Sequence, residues 1–214
     1  MAGAEAKKSD LPARVGSAVV MVAVAGSALW LGGRVWTAFV AVVALGVLWE
    51  WMNLANAITA KLWARALWLV GGVVYIGVAA FWLNKLNGWM PGPTDAKGAV
   101  GSLMLAVILL VVIATDVGAY FSGRFFGGPK IAPSISPSKT WAGLAGGMMA
   151  SAVLMQILAH VAGVAKSSDL GFGVLPVSGA VMAVVAQLGD FFESWMKRRA
   201  GVKDSGKLLP GHGG

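Results

Sequence analysis

Residues 66–84 read ALWLVGGVVYIGVAAFWLN, 19 positions without a formal charge, bounded by Arg65 and Lys85. A helix needs about 20 predominantly apolar residues to cross the hydrocarbon core of a bilayer, so this stretch decides the class of the fold. Five further runs of the same kind surround it: Val15–Gly33, Val35 to about Ala60 with Glu50 as its one charge, Ala99–Thr115, Thr140–Ala165 and Leu170–Gly189. Composition points the same way. Of the 214 residues 57% are hydrophobic and only 12% charged, against about 25% charged in soluble domains. The mean hydropathy is +0.75. Too little polar surface remains to cover a soluble core. The expected fold class is therefore all-α, a polytopic integral membrane protein with about six transmembrane helices.

The first run follows Lys7, Lys8 and Arg14 and contains Ala23-Val24-Ala25, as a secretory signal would. Its apolar part is longer than the usual 7 to 15 or so residues, so it reads as a retained span. Trp30, Trp36, Trp49, Trp51, Trp63, Trp82 and Trp141 fall near the ends of the runs, where an interfacial aromatic belt is expected. Gly143 and Gly147 form a GxxxG step, read as close helix packing within one subunit, with a homodimer as the alternative. The chain has no Cys, which excludes disulfides, thiolate nucleophiles and Cys-based metal sites.

Placing the N-terminus in the cytoplasm puts 13 of the 17 Lys and Arg residues on the inner side, leaving Arg34, Lys85, Lys97 and Lys166 outside. The positive-inside rule favours that orientation, with both polar loops facing the cytoplasm at the inner membrane. A net charge of +8 suits lipid headgroups or phosphates; no nucleic-acid partner is expected. Glu50 and His160 fall near the ends of their runs, so both read as interfacial rather than as parts of an ion pathway, which weighs against a transporter or channel.

The first polar block, residues 116–143, reads DVGAYFSGRFFGGPKIAPSISPSKTWAG. Its glycines at 118, 123, 127 and 128 and prolines at 129, 133 and 137 predict an irregular loop. Ser138 or Thr140 is placed to cap the following helix, leaving free N–H groups beside Lys139, a suitable site for an anion. A plain helix start with Lys139 reaching to the interface explains the same residues as well. In the second block Gln187, Asp190, Ser194 and Lys197 recur at helical spacing, which places them on one face of a helix continuing to Gly201. That alone is compatible with an ordinary surface ladder. The segment beyond it adds Lys203, Asp204, Lys207 and His212. Carboxylates that hold Mg²⁺ beside several cations are what nucleoside triphosphate chemistry requires. No Walker A sequence, dinucleotide fingerprint or Ser/His/Asp order accompanies them.

SWMKRRAGVKDSGKLLPGHGG, Ser194–Gly214, closely resembles the signature of the membrane-bound CDP-diacylglycerol synthases (phosphatidate cytidylyltransferases). QLGDFFES, DVGAYFSGRFFG and SPSKTWAG resemble other blocks of that family in the expected order, from about Asp116 onward. In the family His-Gly-Gly is followed after two residues by Asp-Arg-x-Asp and further spans. The sequence is accordingly expected to be a C-terminally shortened member, inactive by itself. The resemblance implies N-terminal membrane spans over 1–115 and a catalytic membrane region over 116–214. It implies a nucleotidyltransferase of phospholipid biosynthesis that transfers CMP from CTP to phosphatidate, giving CDP-diacylglycerol and pyrophosphate, with membrane lipids as surroundings.

Carried over by matching position, Asp190 is implied as a Mg²⁺ ligand. Lys197, Arg198 and Lys203 bind phosphates and stabilise the leaving group. Asp204 completes the catalytic set or orders its loop. Ser136, Lys139 and Thr140 form a phosphate-binding helix start supported by Asp116 and Arg124, while Ser194 and His212 stand on the substrate side. Two rivals fit the same residues: a CTP-dependent enzyme of an isoprenoid lipid, either an ether-lipid cytidylyltransferase or a polyprenol kinase, and a non-enzymatic channel or scaffold.

Overall fold

The computed structural model describes residues 11–87, 96–161 and 173–206. Six helices and one hairpin succeed one another in chain order: α1 Leu11–Leu31, α2 Gly33–Ile58, α3 Leu62–Leu86, α4 Ala96–Phe125, β1 Lys130–Ala132, β2 Ser136–Thr140, α5 Trp141–Val161 and α6 Val174–Arg199. Five of the described helices, α2 to α6, are long and apolar enough to cross a membrane. This is the all-α polytopic class expected. Helix α1, Leu11–Leu31, is 21 residues long, with an apolar stretch over Val15–Leu31 among the residues whose side chains are described. Leu, Val, Phe and Trp side chains stand exposed along the long helices, as lipid-facing surfaces require.

The chain forms two compact units, residues 1–101 with 200–214 and residues 102–199. In the first, α2 and α3 form a helical hairpin. Thr59 ends α2 in extended backbone, and its carbonyl accepts a bond from Arg65 Nε at 2.9 Å. Two tryptophans knit the pair. Trp51 lies where a Cβ on Gly72 would stand and donates from Nε1 to the Trp68 carbonyl at 2.7 Å. Trp36 is buried and donates to the Leu83 carbonyl at 3.1 Å. These two do not belong to the expected interfacial belt, because their indole N–H groups are used inside the helix pair. Trp30, Trp49, Trp63, Trp82 and Trp141 are exposed, as that belt requires.

In the second unit α5 packs between α4 and α6 through small residues. A Cβ on Gly147 would stand 2.9 Å from the Thr115 carbonyl, one on Gly143 would stand 3.1 Å from that of Ala119, and one on Gly179 would stand 2.6 Å from that of Ser151. The GxxxG step thus serves packing within one chain. The fully buried Thr115 and Ser151 hydroxyls join α4 to α5 at 2.7 Å, a bond of the kind worth about 0.6 to 1.7 kcal/mol inside membrane bundles.

The expected irregular loop after residue 116 is corrected. Helix α4 continues through Phe125, because Gly118 and Gly123 are used for close approach to Gly146, Thr140 and Gly143 rather than for turns. The turn comes at Gly127 and Gly128, whose φ values are +62° and +90°, and Pro129 then prevents any return to helix. Beyond Pro129 the chain forms an antiparallel hairpin pairing Lys130 with Thr140 and Ala132 with Ser136, with an irregularity between.

Candidate active site

The N-terminus of α5 and the last third of α6 build the site. Thr140 ends β2 and caps α5, its Oγ1 accepting from the Gly143 N–H at 3.0 Å. Of the two residues the sequence offers as caps, the structure selects Thr140. The strand direction up to that cap fixes Lys139 beside α6. Its ammonium donates to Asp190 Oδ2 at 2.5 Å and to Gln187 Oε1 at 3.0 Å, and it stands 5.1 Å from the Phe191 ring centroid. Helix α6 runs unbroken to Arg199 and closes at Gly201, with φ +72°, so Asp190 lies on a rigid element.

A cavity of about 350 Å³ opens here, lined by Asp116, Tyr120, Arg124, Ser138, Lys139, Thr140, Gln187 and Asp190 among others. Five residues singled out in the sequence, Asp116, Arg124, Lys139, Thr140 and Asp190, therefore share one wall system. Asp116 and Arg124 come from α4, and Arg124 donates to the Tyr120 hydroxyl at 3.2 Å. The two polar blocks, 51 residues apart at Lys139 and Asp190, meet at one end of the α4–α6 unit.

Other expectations are redistributed. Ser136 is buried in the hairpin opposite Ala132 rather than lining the cavity, and Ser138 takes the place expected of it. Lys197 is not part of a ladder with Asp190: it pairs with Glu193 one turn back at 2.9 Å, since Lys139 already takes Asp190. Arg198 Nε reaches the Ile135 carbonyl at 3.4 Å and ties the hairpin turn to α6. Ser194 is half-buried on α6. Lys203 and Asp204 are exposed and belong to the other compact unit. His212 lies outside the described residues. Sequence reading missed the part of Tyr120 and gave Gln187 no function. Gln187 at the Asp190 helical spacing was the available signal.

Mg²⁺ takes oxygen ligands and is usually anchored by one or two carboxylates, with phosphates and water completing the shell. No group of three His, Cys, Asp or Glu occurs among the described residues. Asp116 and Asp190 nevertheless put two carboxylates on one cavity, a donor set that fits such an ion once phosphates are present.

The fold and the cavity define a helical membrane protein with a mixed acidic and basic site, suited to a phosphorylated ligand. Comparison with known proteins gives the family. The model described as the cytidylyltransferase family matches residues 92–214, and the chain belongs to that family. It is 42% identical over 147 residues to a phosphatidate cytidylyltransferase of Brucella suis, covering 69% of this chain and 50% of that protein. A phosphatidate cytidylyltransferase of Haemophilus influenzae is 44% identical over 117 residues, 53% of this chain and 40% of that one. One of Rickettsia bellii is 28% identical over 216 residues, 97% of this chain and 84% of that one. The chain spans about half the length of the Brucella relatives it matches.

Proposed function

We propose that the protein acts as a phosphatidate cytidylyltransferase, transferring CMP from CTP to phosphatidate. The observation that carries the reading is the convergence of Asp116, Lys139, Thr140 and Asp190 on one cavity of a membrane helix bundle. The family, and relatives named for this activity, support it. A phosphate oxygen of phosphatidate attacks the α-phosphorus of CTP, a new P–O bond forms, the bond to the β-phosphate bridging oxygen breaks, and pyrophosphate leaves with that electron pair. Such a nucleophile is already ionised near neutral pH, so positioning and charge stabilisation supply most of the catalysis.

The lining cations set the division of labour. Asp116 and Asp190 formally cancel Arg124 and Lys139, so these four groups alone do not offset a triphosphate. Asp190, with Asp116 as a second carboxylate, would hold Mg²⁺, which when bound would supply positive charge against the phosphates. Lys139, which donates to Asp190 and Gln187, lines the cavity and would turn its ammonium to a phosphate. At the start of α5 the Trp141 N–H is taken by the Pro129 carbonyl and the Gly143 N–H by Thr140 Oγ1, so the phosphate-binding helix start expected from the sequence is largely capped from within the chain. Lys197, Arg198 and Lys203 would contact the leaving pyrophosphate, with Asp204, Ser194 and His212 ordering the surrounding segment. The N-terminal spans 1–115 would serve as anchor and residues 116–214 as catalytic region, with the site facing the cytoplasm at the inner membrane. There CTP arrives from water and phosphatidate from the lipid.

The test is turnover of radiolabelled CTP by the full-length protein, with phosphatidate, an ether-linked lipid phosphate and a polyprenol offered in parallel. Labelled lipid formed from phosphatidate alone supports the reading. Product from the polyprenol or the ether lipid alone replaces it with an isoprenoid-lipid enzyme, and no product with any lipid removes it.

A further inference from the structure

The segment after α6 leaves helical geometry at Gly201, so something other than the helix must fix the course of residues 202–206. A carboxylate from a distant span does so. Glu50, the one charge in the second apolar run, is half-buried on α2 and accepts a hydrogen bond from Ser205 Oγ on Oε2 at 2.9 Å, across 155 residues of sequence. Its other oxygen, Oε1, is buried and has no hydrogen-bond partner among the described residues. The backbone at Gly206 lies directly against the same carboxylate. A Cβ there would collide with Oε1 and would stand 2.9 Å from Cδ. Gly201 has the positive φ that favours glycine, whereas Gly206 does not. At 206 the side chain is excluded for want of room, and what occupies the room is Glu50. A charge in an apolar span is costly unless it has a partner, and both contacts here fall on the segment that carries Lys203 and Asp204.

We propose that Glu50 is a positioning residue: it clamps residues 205–206 to α2 and thereby sets where Lys203 and Asp204 stand for the nucleotide's phosphates. The clamp is read from the contacts themselves, while its consequence for turnover rests on the function proposed above. Sequence reading left Glu50 as an interfacial charge, because its partners lie far away in the chain.

The test uses the full-length protein carrying Val202→Cys as the single cysteine, with a nitroxide spin label attached. Val202 is 38% exposed. Glu50→Ala should sharpen the label's spectrum as the segment loosens. It should also lower kcat/KM for CTP roughly tenfold to a hundredfold, the scale of misplacing a reacting group by about 1 Å, with KM for phosphatidate unchanged. Glu50→Gln keeps an acceptor oxygen for Ser205 and should restore both readouts most of the way. Gly206→Ala should reproduce the defect in the parent and add nothing in the Glu50→Ala background, where the room has been made. An unchanged spectrum in Glu50→Ala, or multiplying effects of the two substitutions, overturns the clamp. If the parent turns over no CTP with any lipid, the function falls, while the spectra and their dependence on Glu50 and Gly206 still decide the clamp.

Discussion

Replacing Lys139 by Ala separates a catalytic cation from a structural one, because the two roles differ in magnitude. In the structure Lys139 contacts Asp190, Gln187 and the Phe191 ring. The ion pair is only partly shielded, the Lys139 side chain being 21% and the Asp190 side chain 51% exposed. Exposed pairs contribute about 0.2 to 1 kcal/mol after solvent screening, and an ammonium over a ring adds about 0.5 to 1 kcal/mol. The substitution also leaves the buried Gln187 oxygen unpaired, about 1 to 3 kcal/mol, so Lys139→Ala should lower stability by no more than about 5 kcal/mol. Removing a preorganised donor from developing charge costs roughly a hundredfold to a thousandfold in kcat. Lys139→Arg keeps the charge but not the compact ammonium, so it should retain part of the rate. The assay is initial-rate CTP turnover in phosphatidate micelles, with the melting temperature of each preparation measured by size-exclusion recovery after heating. A rate within threefold of the parent, or a rate loss accounted for by an equal loss of folded protein, would refute the catalytic assignment.

Asp190→Asn preserves size and removes charge, so turnover should disappear and Mg²⁺-dependent CTP binding, followed by calorimetry with and without chelator, should weaken; near-normal activity takes Asp190 out of the site. Lys197→Ala should weaken CTP use while the Mg²⁺ requirement stays, and a lost requirement would contradict the division of roles. Gly146→Ala drives a Cβ against Ser122 and to 2.8 Å from the Gly118 carbonyl, so it should destabilise the protein by about 1 to 3 kcal/mol; an unchanged melting temperature would show that α4 and α5 pack otherwise. Single cysteines at the exposed Ser134 and Val202 should react with an impermeant maleimide from the cytoplasmic side only, and reaction from opposite sides would contradict the shared orientation of the two polar blocks.

The spans were legible because length and apolarity are local properties. The run at 66–84 became α3, Leu62–Leu86, with its flanks added, and the Leu170–Gly189 run became α6 continued to the glycine that stops it. The block after residue 116 was misread because a glycine has two uses. Gly118, Gly123 and Gly128 look alike in a single sequence, yet the first two let helices approach and only the last takes a left-handed backbone. Which use applies depends on whether a second helix lies alongside, and that is a tertiary fact. The same holds for Trp36 and Trp51, whose position near run ends is shared by belt residues and by indoles that donate across a helix pair.

For the site, spacing along α6 put Asp190, Glu193, Ser194 and Lys197 within reach of one another without selecting partners. The selection came from outside the helix. Once the Thr140 cap sets the end of β2, Lys139 arrives at Asp190 and Gln187, and Lys197 is left to Glu193. The exchange bears on chemistry. A cation held on a hairpin can leave Asp190 without disturbing α6, whereas one on the same helix would remain beside it through turnover. For the function proposed above, the Lys139 ammonium would turn to a phosphate while Asp190 keeps its place on α6. The placement that the sequence could not specify is therefore the one that puts the cation and the carboxylate on separate elements, Lys139 on β2 and Asp190 on α6.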